Sequence, residues 1–355
     1  MAKKVMVGMS GGVDSTVCAH LLLKEGYEVY GANCSFFKKE ELFPKDYISS
    51  EDGTKDAGRV AEKLGIPFSV YDLSEGFKEH VIDNFINVYK KGGTPNPCLQ
   101  CNKHLKFGKM LEKAEKEGCD LIATGHYANI VFDESTGRYL LKKGADLKKD
   151  QSYVLYMLTQ EQLSRTVFPL GNMEKTEIRE IAESLGLINS DKKDSQDICF
   201  IPDGDYASFI ERYTKETFPQ GDFVSVDGKI LGTHKGIIRY TIGQRKGLGL
   251  ALPAPMYVYK KDMEQNKVIL SSEDLLFSKH LDAVDINFIP FDKLEKPMRV
   301  KAKARYKQPE QWATVTQTGE NSFHVEFDEP QRAFAKGQAV VLYDGDFVVG
   351  GGTII

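Results

Sequence analysis

The sequence predicts an α/β fold in which a doubly wound parallel sheet comes first and smaller β-rich domains follow. Strand and helix signals alternate through the first 200 residues, whereas short alternating runs separated by Gly, Pro and Asp dominate after about residue 204. The chain of 355 residues is also too long for one ordinary domain. We place three domains at residues 1–204, 205–280 and 281–355.

The first domain shows strand and helix signals in alternation. Helices are predicted at residues 14–24, DAGRVAEKLG and HVIDNFINVYKKG. Strands are predicted at VMVG, YEVYGANCS, PFSVYDL and CDLIATGHY. Ligands of such sheets bind beyond the carboxyl ends of the strands, which is where residues 8–15 and 124–127 fall.

The remaining residues show the pattern of small β domains or barrels. RVKAKARYK, residues 299–307, alternates cations with apolar residues, so a strand there would place five cations on one face. A solvated face is the ordinary explanation, but a phosphate backbone is a natural counterpart of five charges of one sign. A second basic cluster surrounds TIGQRKGLG and consists of His234, Lys235, Arg239, Arg245 and Lys246.

Composition narrows the class of protein. A hydrophobic content of 41% and a charged content of 28% are ordinary for a globular chain. The net charge of −4 means that a nucleic acid must be met by local patches. All six cysteines lie in the first 200 residues, unlike the framework of a small secreted domain. The sequence lacks a signal-peptide core and a membrane-length apolar window, so we expect a soluble cytoplasmic protein with no membrane partner.

The string SGGVDS follows the first strand directly and opens the first helix. A strand, a glycine loop and a helix N-terminus form an anion site, because backbone N–H groups and the helix dipole face the ligand. The Gly-Lys-Ser/Thr ending of the mononucleotide P-loop is absent, so no lysine of this motif reaches a γ-phosphate. The plainer explanation is a βα turn with Ser10 or Asp14 as the helix cap.

Two cysteine motifs offer reactive thiols. Cys98 and Cys101 form a CxxC in TPNPCLQCNKHLKFG, and the second ligand pair of a zinc ribbon is missing from the sequence. The cations that follow at Lys103, His104 and Lys106 are expected to lower the thiol pKa values. Cys199 in SQDICFIP, taken alone, resembles a buried hydrophobe, and we assign the remaining Cys18 and Cys119 to packing.

Taken together, these motifs closely resemble the tRNA-specific 2-thiouridylases of the PP-loop ATP pyrophosphatase superfamily. The resemblance runs from end to end through SGGVDS, TPNPCLQCNK, ATGHY, KDQSYVLY, ICFI and YTIGQRKGLG. It implies a PP-loop domain of the adenine nucleotide α-hydrolase type, a small central domain and a C-terminal tRNA-binding β-barrel. It also implies an ATP-dependent tRNA-uridine 2-sulfurtransferase. Such an enzyme adenylates O2 of the wobble uridine and replaces it with persulfide sulfur, giving 2-thiouridine, AMP and pyrophosphate.

The resemblance also assigns residues. Cys199 would carry the persulfide, and Cys101 would act as the nucleophile that forms a disulfide with it. The target base would contact Asn96, Pro97 and Cys98. ATP would be bound by Gly8, Met9, Ser10, Gly11, Gly12, Val13, Asp14, Ser15, Cys34 and Gly125. The tRNA would be contacted by His126, Lys149, Asp150, Gln151, Arg305, Tyr306 and Gln338.

Cofactors and partners follow from the same resemblance. ATP with Mg²⁺, a tRNA with a wobble uridine and a persulfide donor protein (a cysteine desulfurase or a relay protein) are implied, for an enzyme that we expect to be a monomer. Two positions depart from the family. Cys98 stands where some members carry an acid/base Asp, so an iron–sulfur cluster on Cys98, Cys101 and Cys199 stays open. Cys34 stands where many relatives have Met, with packing as its plainer role.

Three other functions compete with this one. Another PP-loop enzyme, such as an amidotransferase-linked synthetase or tRNA lysidine synthetase, would not need Cys101 and Cys199. A methyltransferase acting on the same uridine would need an adenosylmethionine loop, which the sequence does not display after its first strand. A non-catalytic tRNA-binding protein would have no use for intact Asp14, Ser15 and thiols, and it would release no pyrophosphate from ATP.

Overall fold

The computed structural model describes residues 2–43, 53–186 and 198–355, and they form three β-sheets with helices around the first. The predicted α/β class is confirmed. The strands are β1 (Lys4–Gly8), β2 (Glu28–Ser35), β3 (Phe68–Asp72), β4 (Leu121–Ala123), β5 (Ala128–Asp133), β6 (Arg138–Lys143), β7 (Thr166–Val167), β8 (Gly221–Ser225), β9 (Ile230–His234), β10 (Tyr257–Asp262), β11 (Lys267–Ser271), β12 (Phe277–Phe288), β13 (Met298–Lys303), β14 (Gln311–Gly319), β15 (Ser322–Arg332), β16 (Ala339–Asp344) and β17 (Phe347–Ile354).

The helices belong mostly to the first half of the described chain. The α-helices are α1 (Val13–Lys24), α2 (Lys39–Leu42), α3 (Gly53–Leu64), α4 (Ser74–Phe77), α5 (Asp83–Lys90), α6 (Pro97–Gln100), α7 (Met110–Lys116), α8 (Gln160–Ser164), α9 (Lys175–Ser184) and α10 (Tyr206–Thr214). Two π-helical stretches, Lys78–Ile82 and Cys101–Lys109, join α4 to α5 and α6 to α7. The helix predicted at HVIDNFINVYKKG is therefore part of a longer helical segment that changes from α to π and back to α.

The first sheet is parallel, with strand order β3-β2-β1-β4-β7. Its central strand β1 buries Val5, Met6 and Val7 completely, as expected for a strand covered on both faces. The carboxyl ends of β1, β2 and β4 lie side by side, since Val7 pairs with Gly31 on one side and Ala123 on the other. The loops that leave these ends build the candidate site.

The second half contains the two β domains that the sequence predicts. A four-stranded sheet has the order β10-β11-β8-β9. The C-terminal strands form a closed six-stranded barrel in the order β12-β15-β14-β13-β16-β17, because β12 also pairs with β17. The basic strand β13 ends at Lys303, so the prediction of one strand face through Arg305 and Lys307 is wrong beyond that residue.

A hairpin missing from the sequence prediction links the two halves. Strands β5 and β6 leave the parallel sheet and attach to the barrel, where Lys142 pairs with Phe347 of β17. One apolar cluster spans this junction and buries Tyr153 from the first half with Val341 and Tyr343 from the barrel. A second cluster joins Phe77 and Phe200 to the small central sheet. The loops at the parallel sheet are therefore held against both β domains.

Candidate functional site

The SGGVDS loop is closed by its own hydroxyl groups. The backbone N–H of Ser10 donates to Ser15 Oγ at 3.2 Å, and Ser15 Oγ donates to the carbonyl oxygen of Gly12 at 3.1 Å. Gly12 is the N-cap of α1, and within the described residues no side chain caps this helix. The cap that the sequence offered as the plainer explanation, Ser10 or Asp14, is therefore wrong, and the helix N-terminus keeps its preference for an anion.

Two glycines allow three segments to meet at this loop. Gly11 has φ +76°, and a Cβ there would lie 2.6 Å from the carbonyl oxygen of Gly53 at the start of α3. A Cβ on Gly125, in the loop after β4, would lie 2.9 Å from the backbone carbon of Asp14. Glycine is thus required at both positions for close approach, and the segments predicted to bind ATP, residues 8–15 and Gly125, are brought together.

Asp14 is bound by two residues from distant parts of the chain. Tyr127 Oη donates to Asp14 Oδ1 at 2.7 Å, and Lys175 Nζ lies 2.7 and 2.9 Å from the two carboxylate oxygens. Sequence reasoning missed Lys175, because it opens α9 in a segment without a nucleotide-binding pattern. The loop therefore has a lysine beside it, although none within its motif.

Three of the candidate thiols lie near the end of β2 and on the helical segment that begins at Pro97. Asn96 is the N-cap of α6 and accepts a hydrogen bond from the N–H of Cys98 at 3.2 Å. Cys101 begins the π-helical stretch, a winding that often marks functional sites. Cys98 and Cys199 are exposed, whereas Cys34 and Cys101 are half-buried, and all four are free thiols.

These thiols influence one another electrostatically, which indicates that they are neighbours. Burial first, and then the charges of Cys101 and Cys98, raise the pKa of Cys199 to about 12. Burial and the charge of Cys98 raise the pKa of Cys101 to about 11. Cys34 lies beside Cys101, and burial with that neighbour raises its pKa to about 12. The structure thus brings Cys98, Cys101 and Cys199 together and adds Cys34 to them.

The expected acidity of the thiols is wrong. Lys106 does lower the pKa values of Cys98, Cys101 and Cys199, but burial outweighs it at each sulfur. A thiol needs an electropositive and partly hydrated setting to ionise at neutral pH. These thiols are therefore protonated at neutral pH. Cys18 and Cys119 are buried, which confirms their assignment to packing.

Metal binding was tested against the arrangement of ligands. Across residues 2–43, 53–186 and 198–355, no group of three or more His, Cys, Asp or Glu side chains is arranged to hold a metal ion. Three thiols remain the kind of ligand that an iron–sulfur cluster takes. Residues 187–197, just before Ile198, lie outside the described residues.

The residues expected to contact tRNA hold the parts of the protein together. Tyr306, beside the barrel, donates through Oη to the carbonyl oxygen of Asp150 at 2.9 Å. Gln338 Nε2 donates to the carbonyl oxygens of Thr94 and Pro95 at 2.8 and 3.2 Å. The barrel is thereby fixed to the segment before the CxxC and to residues 149–151.

Other residues of this set are also anchored. Arg305 donates to the carbonyl oxygens of Ile242 and Ala333 at 3.1 and 2.7 Å, and its Nε is a buried atom without a partner among the described residues. Gln151 exchanges hydrogen bonds with the backbone of Tyr127. The backbone N–H of Lys149 donates to the carbonyl oxygen of Asp146 at 2.9 Å.

His126 lies inside the protein rather than at a surface. It is 7% exposed, its Nδ1 lies 2.7 Å from Thr124 Oγ1, and its ring packs between Phe107 and Phe168. Burial holds the pKa of His126 well below 6.5, so the ring is neutral.

The two basic clusters are less available than the sequence suggests. On β13, Arg299 forms a two-pronged ion pair with Asp328, although Arg299 and Lys301 also flank the exposed ring of Trp312. In the second cluster, His234 is fully buried. Arg239 of that cluster is paired with Glu211 and Asp205.

Comparison with known proteins was made for the whole chain. Three family models match in succession: the tRNA methyl transferase HUP domain at residues 3–203, the tRNA methyl transferase PRC-barrel domain at residues 207–272 and the aminomethyltransferase β-barrel domain at residues 278–354. In the described residues no helix has the length and apolar character needed to cross a membrane.

Relatives match over their full length. The tRNA-specific 2-thiouridylase MnmA of Clostridioides difficile is 52% identical over 355 residues, which is 100% of this chain and 98% of that protein. The MnmA of Acetivibrio thermocellus is 51% identical, and the alignment covers 99% of each chain. Among solved structures, the U34-tRNA thiolase NcsA from Methanococcus maripaludis shares 21% identity over 60% of this chain and 70% of its own, with a TM-score of 0.35.

Proposed function

We propose, since this chain belongs to the MnmA family of tRNA-specific 2-thiouridylases, that it replaces O2 of the wobble uridine in tRNA with sulfur at the expense of ATP. The observation that supports this best is the meeting of two chemistries at one sheet edge. β1 ends at Gly8 and enters the SGGVDS loop. Its neighbour β2 reaches Cys34, which lies beside Cys101. A nucleotide loop and a set of thiols are what adenylation followed by sulfur transfer requires.

The first step would activate an unreactive oxygen. O2 of the uridine attacks the α-phosphorus of ATP, the new P–O bond forms, and the bond to pyrophosphate breaks. The N–H groups at the start of α1 and the hydroxyls of Ser10 and Ser15 are suited to bind the phosphate oxygens. Mg²⁺ would enter with ATP and offset part of the negative charge of its phosphates. Residues 8–15, Gly125 and Cys34 would surround the nucleotide.

The second step would exchange oxygen for sulfur. The terminal sulfur of a persulfide on Cys199 attacks C2, and the C2–O bond breaks as AMP leaves. Cys101 then attacks Sγ of Cys199 and gives up its thiol proton to the uracil ring, which forms a Cys101–Cys199 disulfide and releases the 2-thiocarbonyl. Cys199 is exposed, so a persulfide donor protein can reach it, while the half-buried Cys101 stays behind it. A persulfide is more acidic than its parent thiol, so the high thiol pKa values protect the resting enzyme without silencing the loaded one.

The tRNA would present an unstacked base to this site. Asn96, Pro97 and Cys98 would face the target base, and Gln338 would hold their loop in place. His126, Lys149, Asp150, Gln151, Arg305 and Tyr306 would form the surrounding RNA contact region, directly or by fixing its backbone. We place the enzyme in the cytoplasm, as a monomer that receives sulfur from a cysteine desulfurase or relay protein.

The test is mass analysis of tRNA nucleosides after reaction with the purified protein, ATP, Mg²⁺ and a persulfide source. We expect 2-thiouridine at the wobble position, and none when ATP is omitted. Cys199→Ser should abolish thiolation while tRNA binding survives. Cys119→Ser is the matched control, because this buried thiol precedes β4 and is assigned to packing, so thiolation should stay intact. Thiolation that persists in Cys199→Ser contradicts the relay.

An iron–sulfur cluster is the alternative form of the sulfur step. Cys98, Cys101 and Cys199 would hold such a cluster, and its chemistry would supply sulfide-level sulfur in place of a persulfide. Transfer through free thiols is favoured because, among the described residues, no group of three or more His, Cys, Asp or Glu side chains is arranged to hold a metal ion. Protein purified without oxygen can be assayed for iron and acid-labile sulfide. If both are present and both are lost in Cys98→Ser, a cluster mechanism would replace the persulfide relay. A methylated uridine formed with adenosylmethionine would overturn thiolation itself.

A further inference from the structure

We propose that Lys175 binds the pyrophosphate part of ATP and stabilises it as it leaves. This inference rests on the proposed function only in that ATP must bind at the SGGVDS loop. Lys175 is 161 positions away from Asp14 in sequence, yet its Nζ lies 2.7 and 2.9 Å from the two carboxylate oxygens of Asp14, the second residue of α1. The loop that lacks a lysine of its own thus has one supplied from α9.

The ammonium group is held in place by several contacts. The Lys175 side chain is only 10% exposed, and its Nζ lies 5.6 Å from the centroid of the Tyr127 ring. Tyr127 Oη donates to Asp14 as well. The backbone N–H of Lys175 donates to Asp146 Oδ2 at 3.3 Å, which fixes the start of α9. A lysine normally loses much rotamer freedom when it binds a ligand, but here that freedom is already restricted by the fold.

The charge balance of the loop requires such a cation. The SGGVDS loop offers backbone N–H groups and hydroxyls to a nucleotide that carries several negative charges, and Asp14 adds another at the same place. A carboxylate without a cation beside it would repel the phosphates. Lys175 offsets the charge of Asp14, and the same ammonium group, a common phosphate ligand, lies beside the helix N-terminus.

The same cation can act on the reaction and not only on binding. Negative charge builds up on pyrophosphate as its bond to the α-phosphorus breaks. An ammonium fixed at that place binds the departing group more strongly than the intact nucleotide, which lowers the barrier. Lys175 is therefore assigned as a catalytic residue of the adenylation step, with Asp14 and Tyr127 as positioning residues that aim it.

A structural brace is the competing explanation. Helices α1 and α9 pack together, with Val17 of α1 and Ile178 of α9 buried in one apolar cluster. An ion pair between Lys175 and Asp14 could merely strengthen that packing. The two roles differ in one respect: a brace affects every ligand of the site alike, whereas a pyrophosphate ligand affects pyrophosphate and ATP but not AMP.

The experiment compares Lys175→Met and Lys175→Arg with Lys63→Met. Lys63 is the matched control because its Nζ donates to the carbonyl oxygens of Leu185 and Gly186 at the other end of α9, far from the loop. Binding of pyrophosphate, AMP and ATP is measured by calorimetry. ATP-dependent pyrophosphate release is measured at saturating tRNA. Thermal unfolding of each variant verifies that it is folded.

For Lys175→Met we expect pyrophosphate binding to weaken about 10-fold to 100-fold, the range for losing one charged hydrogen bond, with AMP binding unchanged. The kcat for pyrophosphate release should fall about 100-fold or more. Lys175→Arg keeps the charge and should recover part of both losses, and Lys63→Met should behave as the unchanged protein.

Two results would overturn the inference. If Lys175→Met weakens AMP binding and pyrophosphate binding equally, the residue has only a structural role. If binding and kcat are both unchanged, Lys175 is not part of the site. Neither result touches the proposed function, because thiolation would persist. If the unchanged protein binds neither ATP nor pyrophosphate, the proposed function fails and the assignment of Lys175 fails with it.

Discussion

The thiols of the site should react slowly with alkylating reagents even where they are exposed. Burial and neighbouring thiols raise the pKa of Cys101 to about 11 and that of Cys199 to about 12, from an ordinary value of 9.0. At neutral pH the reactive thiolate is then rarer by about 100-fold at Cys101 and about 1000-fold at Cys199 than in an unperturbed cysteine, since each pKa unit is a factor of about ten.

The higher nucleophilicity of a more basic thiolate offsets part of this loss of reactivity. A more basic thiolate is a better nucleophile, and a Brønsted slope of about 0.45 returns roughly threefold in rate per pKa unit. The net expectation is a slowdown of about 13-fold for Cys101 and about 45-fold for Cys199.

The assay is peptide-resolved alkylation with iodoacetamide, in native protein and in protein unfolded by urea. The native rates should rise about tenfold per pH unit up to about pH 9 without a plateau, because both pKa values lie higher. Lys106→Met should slow both sites further, since Lys106 is the cation that lowers each pKa. Native Cys199 that reacts as fast as it does in urea would refute the reasoning.

Three further outcomes follow from the same structure. Gly11→Ala should lose about 1–3 kcal/mol of stability and weaken ATP binding, because a Cβ would meet a backbone carbonyl at 2.6 Å. Gly26→Ala, also at positive φ but with nothing within 4 Å, should lose less, as calorimetric unfolding will reveal. Gln338→Leu, which removes two hydrogen bonds to the target-base loop, should slow thiolation about tenfold with little change in the tRNA Kd. A large rise in Kd would instead make Gln338 an RNA ligand. His126→Gln should flatten the loss of Tm from about pH 6.5 to about pH 5. Folding lowers the pKa of His126, so its stability contribution is complete above 6.5 and lost as pH falls; an unchanged Tm profile contradicts this.

The first strand, loop and helix could be predicted from sequence because their causes are local. Val5, Met6 and Val7 form an apolar run that a parallel sheet buries on both sides, and the glycines that follow end it. The hairpin of β5 and β6 was not predicted, although its register is local, and its attachment to the barrel depends on a partner elsewhere. Lys142 pairs with Phe347, about 200 residues later, and no periodicity near β6 signals that contact.

The residue types of the site could be predicted from sequence, but the protonation state of its thiols could not. The cations after Cys101 suggested acidic thiols, whereas the pKa values depend on how many groups surround each sulfur, which spacing does not encode. Lys175 is absent from the residues predicted from sequence for the same reason. Its contact with Asp14 arises because α9 packs against α1, and a pattern confined to either helix contains no sign of it.

The hydrogen bonds of the RNA-contact set connect tRNA binding to chemistry. Tyr306 joins the barrel side to Asp150, Gln338 joins the barrel to the loop before the CxxC, and Arg305 reaches the carbonyl oxygen of Ile242 beside the central sheet. A tRNA held on the barrel would therefore be held at a fixed distance from the thiols. Removal of one of these side chains changes that distance as well as the RNA contact. Loss of activity in such a variant thus identifies an RNA ligand only if affinity for tRNA falls in proportion.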